Sequence, residues 1–473
     1  MAFTELEPMT TRAALAEIWS TGGGDPSALE RVTLTGSEPA LPSSFHMGAV
    51  AQSSIAASAL AAAEIWRSRT GEAQSVAVDM RHAVVEFRSE RYMRVPGFSE
   101  RTWDTIAGLY RTGDGRYVRL HTNFPHHRDG VLRLLGAEYS REGVQEKLNR
   151  WKGEEFETAA AEAGLVVTMT RSPQEWAAHD QGQALARLAL FEITRIGDAP
   201  PRAWPKSGER PLSGIRALDL TRVIAGPVCG RTLAAHGGDV LLVASPKLPS
   251  FQGLDMDTGR GKLSTHIDLT EATGRQTLVE LVKGADVFVQ GYRPGAIAAK
   301  GFSPEQVSQM APGIVCVSLS AYGHEGPWSE RRGFDSLVQN ANGLNHAEGA
   351  AIGIEGQKEL PCQALDHGSG YLLAAGAMMA LERQRREGGS WLVRVSLAQT
   401  GAWIAGLGRI ENGFACADPS FDDVQDLLET TASGFGPMTA VKHSARLSAT
   451  PPAWDRPSVP LGTHPPQWPD PPA

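Results

Sequence analysis

Between residues 215 and 320, short apolar runs alternate with helical stretches, and this alternation limits the possible folds more than any other feature of the chain. The runs 215–221, 239–244, 286–292 and 314–320 are rich in Val, Leu and Ile. Helices are predicted between them at 229–236, 271–283 and 304–311. Near-continuous apolar runs belong to strands buried on both faces, and strands alternating with helices imply a parallel sheet. The expected class is therefore α/β: an open, mostly parallel sheet with helices on both faces, a Rossmann-like large domain, plus a smaller α+β domain. Sheets of this kind bind ligands at the carboxyl ends of their strands. Here those ends read Thr221-Arg-Val-Ile-Ala-Gly-Pro, Gly291-Tyr-Arg-Pro-Gly and Ser320-Ala-Tyr-Gly-His-Glu-Gly-Pro. None carries the G-x-G-x-x-G fingerprint, so a dinucleotide cofactor is not indicated.

After the alternating region comes Asp366-His-Gly-Ser-Gly-Tyr-Leu-Leu-Ala-Ala-Gly, running on to Arg386, whose Ala, Leu and Met content predicts a long helix. Asp366 falls at its cap or first turn, where a carboxylate meets free N–H groups and a favourable dipole. Capping is the commonest job of such a residue. The small residues Gly368, Ser369 and Gly370 are expected to let a ligand approach it. Gly388-Gly389 ends the helix, and 391–397 reads as a strand. The same order occurs earlier: an Ala-rich helix at 50–69, Gly71, then a strand at 75–80. The two copies align with an offset of 388 − 71 = 317, which sets Ala49 against Asp366 (366 − 317 = 49). One helix–strand unit thus occurs twice, with the carboxylate in one copy only.

The remaining segments divide the chain into a lead-in (1–44), a partial copy with a small α+β domain (45–198), a Pro-rich linker (199–210), the sheet domain (211–410) and a Pro-rich C-terminal wrap (411–473). In the lead-in, a short helix at 10–19 precedes Gly22-Gly23-Gly24, a turn lacking the flanking strand and Lys-Ser/Thr of a phosphate cradle. The small domain opens on a hairpin around Asp114-Gly115, followed by helices at 127–136, 141–151, 153–163 and 172–180. His121, His126 and His127 lack ligand spacing, so they are expected as surface or hydrogen-bonded histidines and no metal site is expected. A net charge of −8 gives no basic footprint for nucleic acid or a membrane, though local basic sites can still take a small anion. The four scattered cysteines suit a reducing compartment. With an acidic start lacking an apolar core and no run of 18 apolar residues, the expected location is the cytoplasm.

Seven motifs carry a resemblance: Pro211-Leu-Ser-Gly-Ile-Arg-Ala-Leu-Asp-Leu-Thr-Arg-Val-Ile-Ala-Gly-Pro, Gly259-Arg-Gly-Lys-Leu-Ser, Ala285-Asp-Val-Phe-Val-Gln-Gly-Tyr-Arg-Pro-Gly, Ser320-Ala-Tyr-Gly-His-Glu-Gly-Pro, Gly333-Phe-Asp, Asp366-His-Gly-Ser-Gly and Val393-Arg-Val-Ser-Leu. Residues 211–405 resemble the class III CoA-transferases, the family of formyl-CoA transferase, carnitine CoA-transferase and alpha-methylacyl-CoA racemase. Residues 45–190 resemble the later part of that family, which implies a rearranged or partly duplicated member. The resemblance makes Asp366 a covalent nucleophile in CoA transfer between carboxylic acids, with Asp335 and Gly368 in support. It implies CoA binding by Ile224, Ala225, Arg260, Gly261, Lys262, Gly291, Tyr292 and Arg293. It further implies no permanently bound cofactor, acyl-CoA and a carboxylic acid as partners, and an interlocked homodimer. Two alternatives come with it. One is an acyl-CoA racemase or epimerase, disfavoured because Phe334 stands where the racemases place a proton-carrying His. The other is a non-catalytic CoA-binding scaffold, since Leu242-Val-Ala-Ser and Thr258-Gly-Arg-Gly-Lys-Leu depart from the family pattern.

Overall fold

The computed structural model describes residues 10–100, 103–206 and 208–469. The acidic start and the last four residues of the Pro-rich tail lie outside them. In chain order, β1 (Val32–Thr35) and β2 (Val76–Asp79) come first, then β3 (Gly108–Arg111), β4 (Tyr117–Leu120) and β5 (Val167–Met169) of the small domain. β6 (Phe191–Gly197), β7 (Arg216–Leu220), β8 (Asp239–Ala244), β9 (Lys262–His266), β10 (Val287–Gln290), β11 (Val315–Ser320) and β12 (Ser390–Ser396) follow. β13 (Leu428–Ser433), β14 (Gly436–Val441) and β15 (Ala445–Leu447) close the order.

The large sheet has the order β6-β12-β11-β10-β7-β8-β9, parallel throughout except for β6, which runs antiparallel to β12. Side-chain alternation splits its strands between two cores. Val287 and Val289 of β10 face the core that holds the Asp366 helix, while Phe288 faces the one formed with helices Ala272–Lys283 and Pro304–Met310. The open α/β class expected from the sequence is the observed one.

The repeat is present at full length. The Ala49 helix is Met47–Thr70 and the Asp366 helix is Ala364–Glu387, so the offset is 364 − 47 = 317. Gly71 and Gly388 cap their C-terminal ends at positive φ. Asp79 ends β2 and accepts a hydrogen bond from His82 N; Ser396 ends β12 and accepts one from Gln399 N, both 317 apart. The strand neighbours match too. β2 has β1 parallel on one side and β15 antiparallel on the other, as β12 has β11 and β6. The three-stranded sheet β1-β2-β15 is therefore a short version of the large sheet's edge.

Two expectations need correction. Residues 191–197 are not part of the small domain but form β6 of the large sheet, pairing antiparallel with β12 and satisfying its edge backbone groups. Residues 45–92, which hold the first helix–strand unit, pack with the large domain. The Ala49 helix is almost wholly buried against the Asp366 helix in one core. It has the length and composition of a membrane span, and its apolar surface is covered by protein. The small domain proper has its own core, from Ile106 to Met169. The C-terminal wrap is not structureless, since β13 and β14 pair as a hairpin and β15 completes the small sheet. The glycine turn of the lead-in is a helix end whose N–H groups bond Ile18, Ser20 and Trp19 carbonyls.

The Asp366 helix crosses helix Ala225–Ala235 at Gly370. A Cβ there would lie 2.6 Å from Ala225 O and 2.8 Å from Val228 Cβ. Gly370 therefore makes room for the neighbouring helix rather than for a ligand, and Gly368 faces Thr400. Gly370→Ala is expected to lower unfolding stability by roughly 1–3 kcal/mol in urea titration, since backbone must move. Gly406→Ala, where an added Cβ meets nothing within 4 Å, is the control expected to be neutral or stabilising.

Candidate active site

Asp366 is the third residue of its helix, where backbone N–H groups have no intrahelical acceptor. The N-cap residue Gln363 makes no side-chain cap. Asp335 does that work from another helix (Asp335–Ala341): its Oδ2 accepts from Leu365 N at 2.8 Å and Asp366 N at 2.9 Å, and Gln339 Nε2 donates to Oδ1. The first copy is capped alike, Glu38 accepting from Ala49 N at 2.8 Å and from Gly48 N. Asp335 thus caps the helix that carries Asp366.

The Asp366 carboxylate itself accepts no hydrogen bond among the described residues and is 8% exposed. Burial raises its pKa well above the usual 3.8, and the nearby Asp335 and Glu90 carboxylates raise it further. Asp335 is raised too, chiefly by burial and against the pull of its N–H donors. On the other side of the helix start, His367 Nε2 lies 3.1 Å from Glu90 Oε2, fixing the helix against the short helix Ser89–Tyr92.

Asp366 opens into a cavity of about 340 Å³ at the carboxyl ends of β7, β10 and β11. Ile224, Ala225, Gly291, Tyr292 and Arg293 line it. Arg222, Arg293 and Arg332 bring positive charge to its walls. Arg222 donates to Pro249 O and lies over the Phe124 ring at 5.2 Å. Arg332 has its pKa lowered by burial and then by Arg293, and neither has a carboxylate partner among the described residues. Val223, in the β7 loop, holds φ at 74°, a strained conformation for a β-branched residue and one that clusters at functional sites. Phe334 is stacked on His121 at 3.9 Å.

Arg260, Gly261 and Lys262 do not line the cavity. Lys262 Nζ is buried 2.8 Å from Asp219 Oδ2 and 2.8 Å from Pro227 O. Arg260 pairs with Asp257, donates to Val441 O at 2.7 Å and stacks on Trp454. Gly261 takes φ +81° and donates to Arg456 O. The signal for this arrangement was Asp219, a lone carboxylate between Leu218 and Leu220 of β7, which needs a cation or hydrogen-bond donors when buried. Conversely, of the three histidines expected at the surface or hydrogen-bonded, only His126 is exposed. His121 and His127 are buried, and His126 and His127 line the cavity beside Phe124. Nothing in their spacing marked them, because the small domain is brought to the sheet by tertiary packing. No cluster among the described residues could hold a metal.

Residues 212–412 match the model of CoA-transferase family III. The acetyl-coenzyme A transferase nodX of Hypoxylon pulicicidum is 30% identical over 325 residues, covering 63% of this chain and 54% of the relative. The human succinyl-CoA:glutarate CoA-transferase is 33% identical over 212 residues, covering 42% and 48%. A crystal structure of Rv3272 from M. tuberculosis is 30% identical, covers 42% of this chain and 55% of its own, and has a TM-score of 0.39. The chain spans about half the length of the curated relatives it matches.

Lys262→Met strands Asp219 and should cost about 3–5 kcal/mol in urea titration, whereas Arg293→Met, on the cavity wall, should leave stability unchanged.

Proposed function

We propose that this chain, whose residues 212–412 match the model of CoA-transferase family III, moves CoA between carboxylic acids with Asp366 as covalent nucleophile. The observation that carries this reading is an unpartnered, poorly solvated carboxylate facing a cavity whose walls carry unpaired arginines. Little solvation must be stripped from such a carboxylate before it attacks.

In this reading a carboxylate oxygen of Asp366 attacks the thioester carbon, and the C–S bond breaks to release CoA thiolate and leave a mixed anhydride. The thiolate attacks the aspartyl carbonyl, the donor carboxylate departs, and an aspartyl-CoA thioester remains. The acceptor carboxylate attacks that thioester, expelling the thiolate again. Thiolate attack on the acceptor's acyl carbon then frees Asp366. No proton changes hands, so a residue such as Phe334 that carries no proton suffices there. The arginines would hold the CoA phosphates by charge-assisted hydrogen bonds. Exchange of the α-proton of a 2-methylacyl-CoA in deuterated water, without an acceptor acid, would instead favour the racemase reading. The scaffold reading predicts that no acyl group ever reaches Asp366.

Incubation with acetyl-CoA or succinyl-CoA followed by hydroxylamine or borohydride trapping is expected to modify Asp366, read by mass spectrometry. Asp366→Ala should lose at least about 10³-fold in turnover; full activity in that variant would end the assignment. The nucleophile works as the anion and its pKa is raised, so activity should rise with pH through a limb well above the usual 3.8. Asp335→Asn removes one of the raising charges and should move that limb to lower pH, measured as kcat/KM against pH.

A further inference from the structure

Within the cavity that Asp366 faces, the group least explained by the structure is His127. It sits in the first turn of helix Pro125–Leu135 of the small domain, is 3% exposed, and lines the cavity. Its backbone N–H bonds Phe124 O at 3.0 Å, yet neither ring nitrogen has a hydrogen-bond partner among the described residues. Nδ1 is enclosed by protein, which leaves Nε2 as the nitrogen able to meet a ligand. The ring is fixed on two sides, 4.0 Å from His126 and edge-on to Phe124 and Phe334. A buried imidazole left unpaired costs free energy unless something completes it.

We propose that His127 donates, through Nε2–H, the hydrogen bond that holds the substrate's acyl carbonyl oxygen for attack by Asp366. This rests on the transferase reading. As the Asp366 oxygen bonds to the thioester carbon, the carbonyl electron pair moves onto oxygen. The imidazole stabilises that charge without giving up its proton, and collapse expels CoA thiolate. Burial, with His126 and Arg332 adding to it, pushes the His127 pKa down to about 3, so the ring stays neutral and can sit beside the arginines. A neutral donor has a further advantage over another cation, because it stabilises developing charge without forming a tight pair with the resting Asp366 carboxylate.

The test uses the full chain with acetyl-CoA and succinate, and with succinyl-CoA and acetate. His127→Phe keeps a flat ring and removes the donor; His127→Gln keeps an N–H. The Phe variant is expected to lose about 10²–10³-fold in kcat while CoA alone gives the wild-type melting shift. The Gln variant should stay within about tenfold of wild type. Wild-type kcat in the Phe variant, or loss of the CoA shift together with activity, overturns the inference. If the Phe variant does not fold, His127→Ala with added imidazole decides: rescue supports the donor role, and no rescue in a folded protein overturns it. An active wild type and inactive Asp366→Ala beside an active His127→Phe would remove this inference alone. A wild type inert toward both pairs would remove the transferase reading and this inference together.

Discussion

Close packing between the Ala49 and Asp366 helices is the contact on which the rest of the molecule depends. Both are 24 residues long and almost entirely buried, so neither has a solvated face. Small side chains are what let two such helices share one core at interior density. The Asp366 helix must also touch Ala225–Ala235 and the sheet at β11 and β12. Gly370 and Gly376 stand where these neighbours come nearest, against Ala225 O and Val393 Cγ1. Any outward shift of this helix would move its first turn, and with it the carboxylate and the strand-end loop that contains Val223.

That first turn concentrates three carboxylates, Asp335, Asp366 and Glu90, in a buried place. Each copes differently. Asp335 is stabilised by two helix N–H groups and Gln339. Glu90 is paired with His367, and despite burial its pKa is lowered by that contact. Asp366 alone is left without a donor. Concentrated negative charge that serves no packing purpose costs stability, and such departures from stable design are expected at functional sites.

Much of this was legible in the sequence, for identifiable reasons. Parallel strands buried on both faces leave a continuous apolar signature, so β7, β8, β10 and β11 could be placed within a residue or two. The repeat was readable because both copies keep the same capping chemistry at the same spacing. β9 and β6 were not, since Lys262–His266 is half polar and Phe191–Gly197 is an edge strand with exposed side chains. The site divided along the same line. Asp366 and the loops after β7 and β10 are fixed by the sheet, and local sequence identifies them. Arg260 and Lys262 lie on such a segment too, but their partners Asp257 and Asp219 turn them inward. Phe124, His126 and His127 reach the cavity only through the packing of a separate domain, which no local pattern encodes.

The pairing of Ala49 with Asp366 follows from what surrounds each helix start. Glu38 caps the first as Asp335 caps the second, so the backbone there could present a carboxylate equally well. The difference lies in the sheets. Around the Asp366 helix, β7 and β10 supply the loops that carry Arg222 and Arg293. The short sheet has no counterparts to those strands among the described residues, and the outer side of β1 is met instead by Arg12, which donates to Val32 O at 2.7 Å. A carboxylate at position 49 would be buried beside Glu38 with no cavity wall of arginines to face. Its desolvation would be uncompensated, at a cost of several kcal/mol. Alanine at that position removes the cost and keeps the helix packed, so the first copy serves as the wall against which the second copy's carboxylate is held.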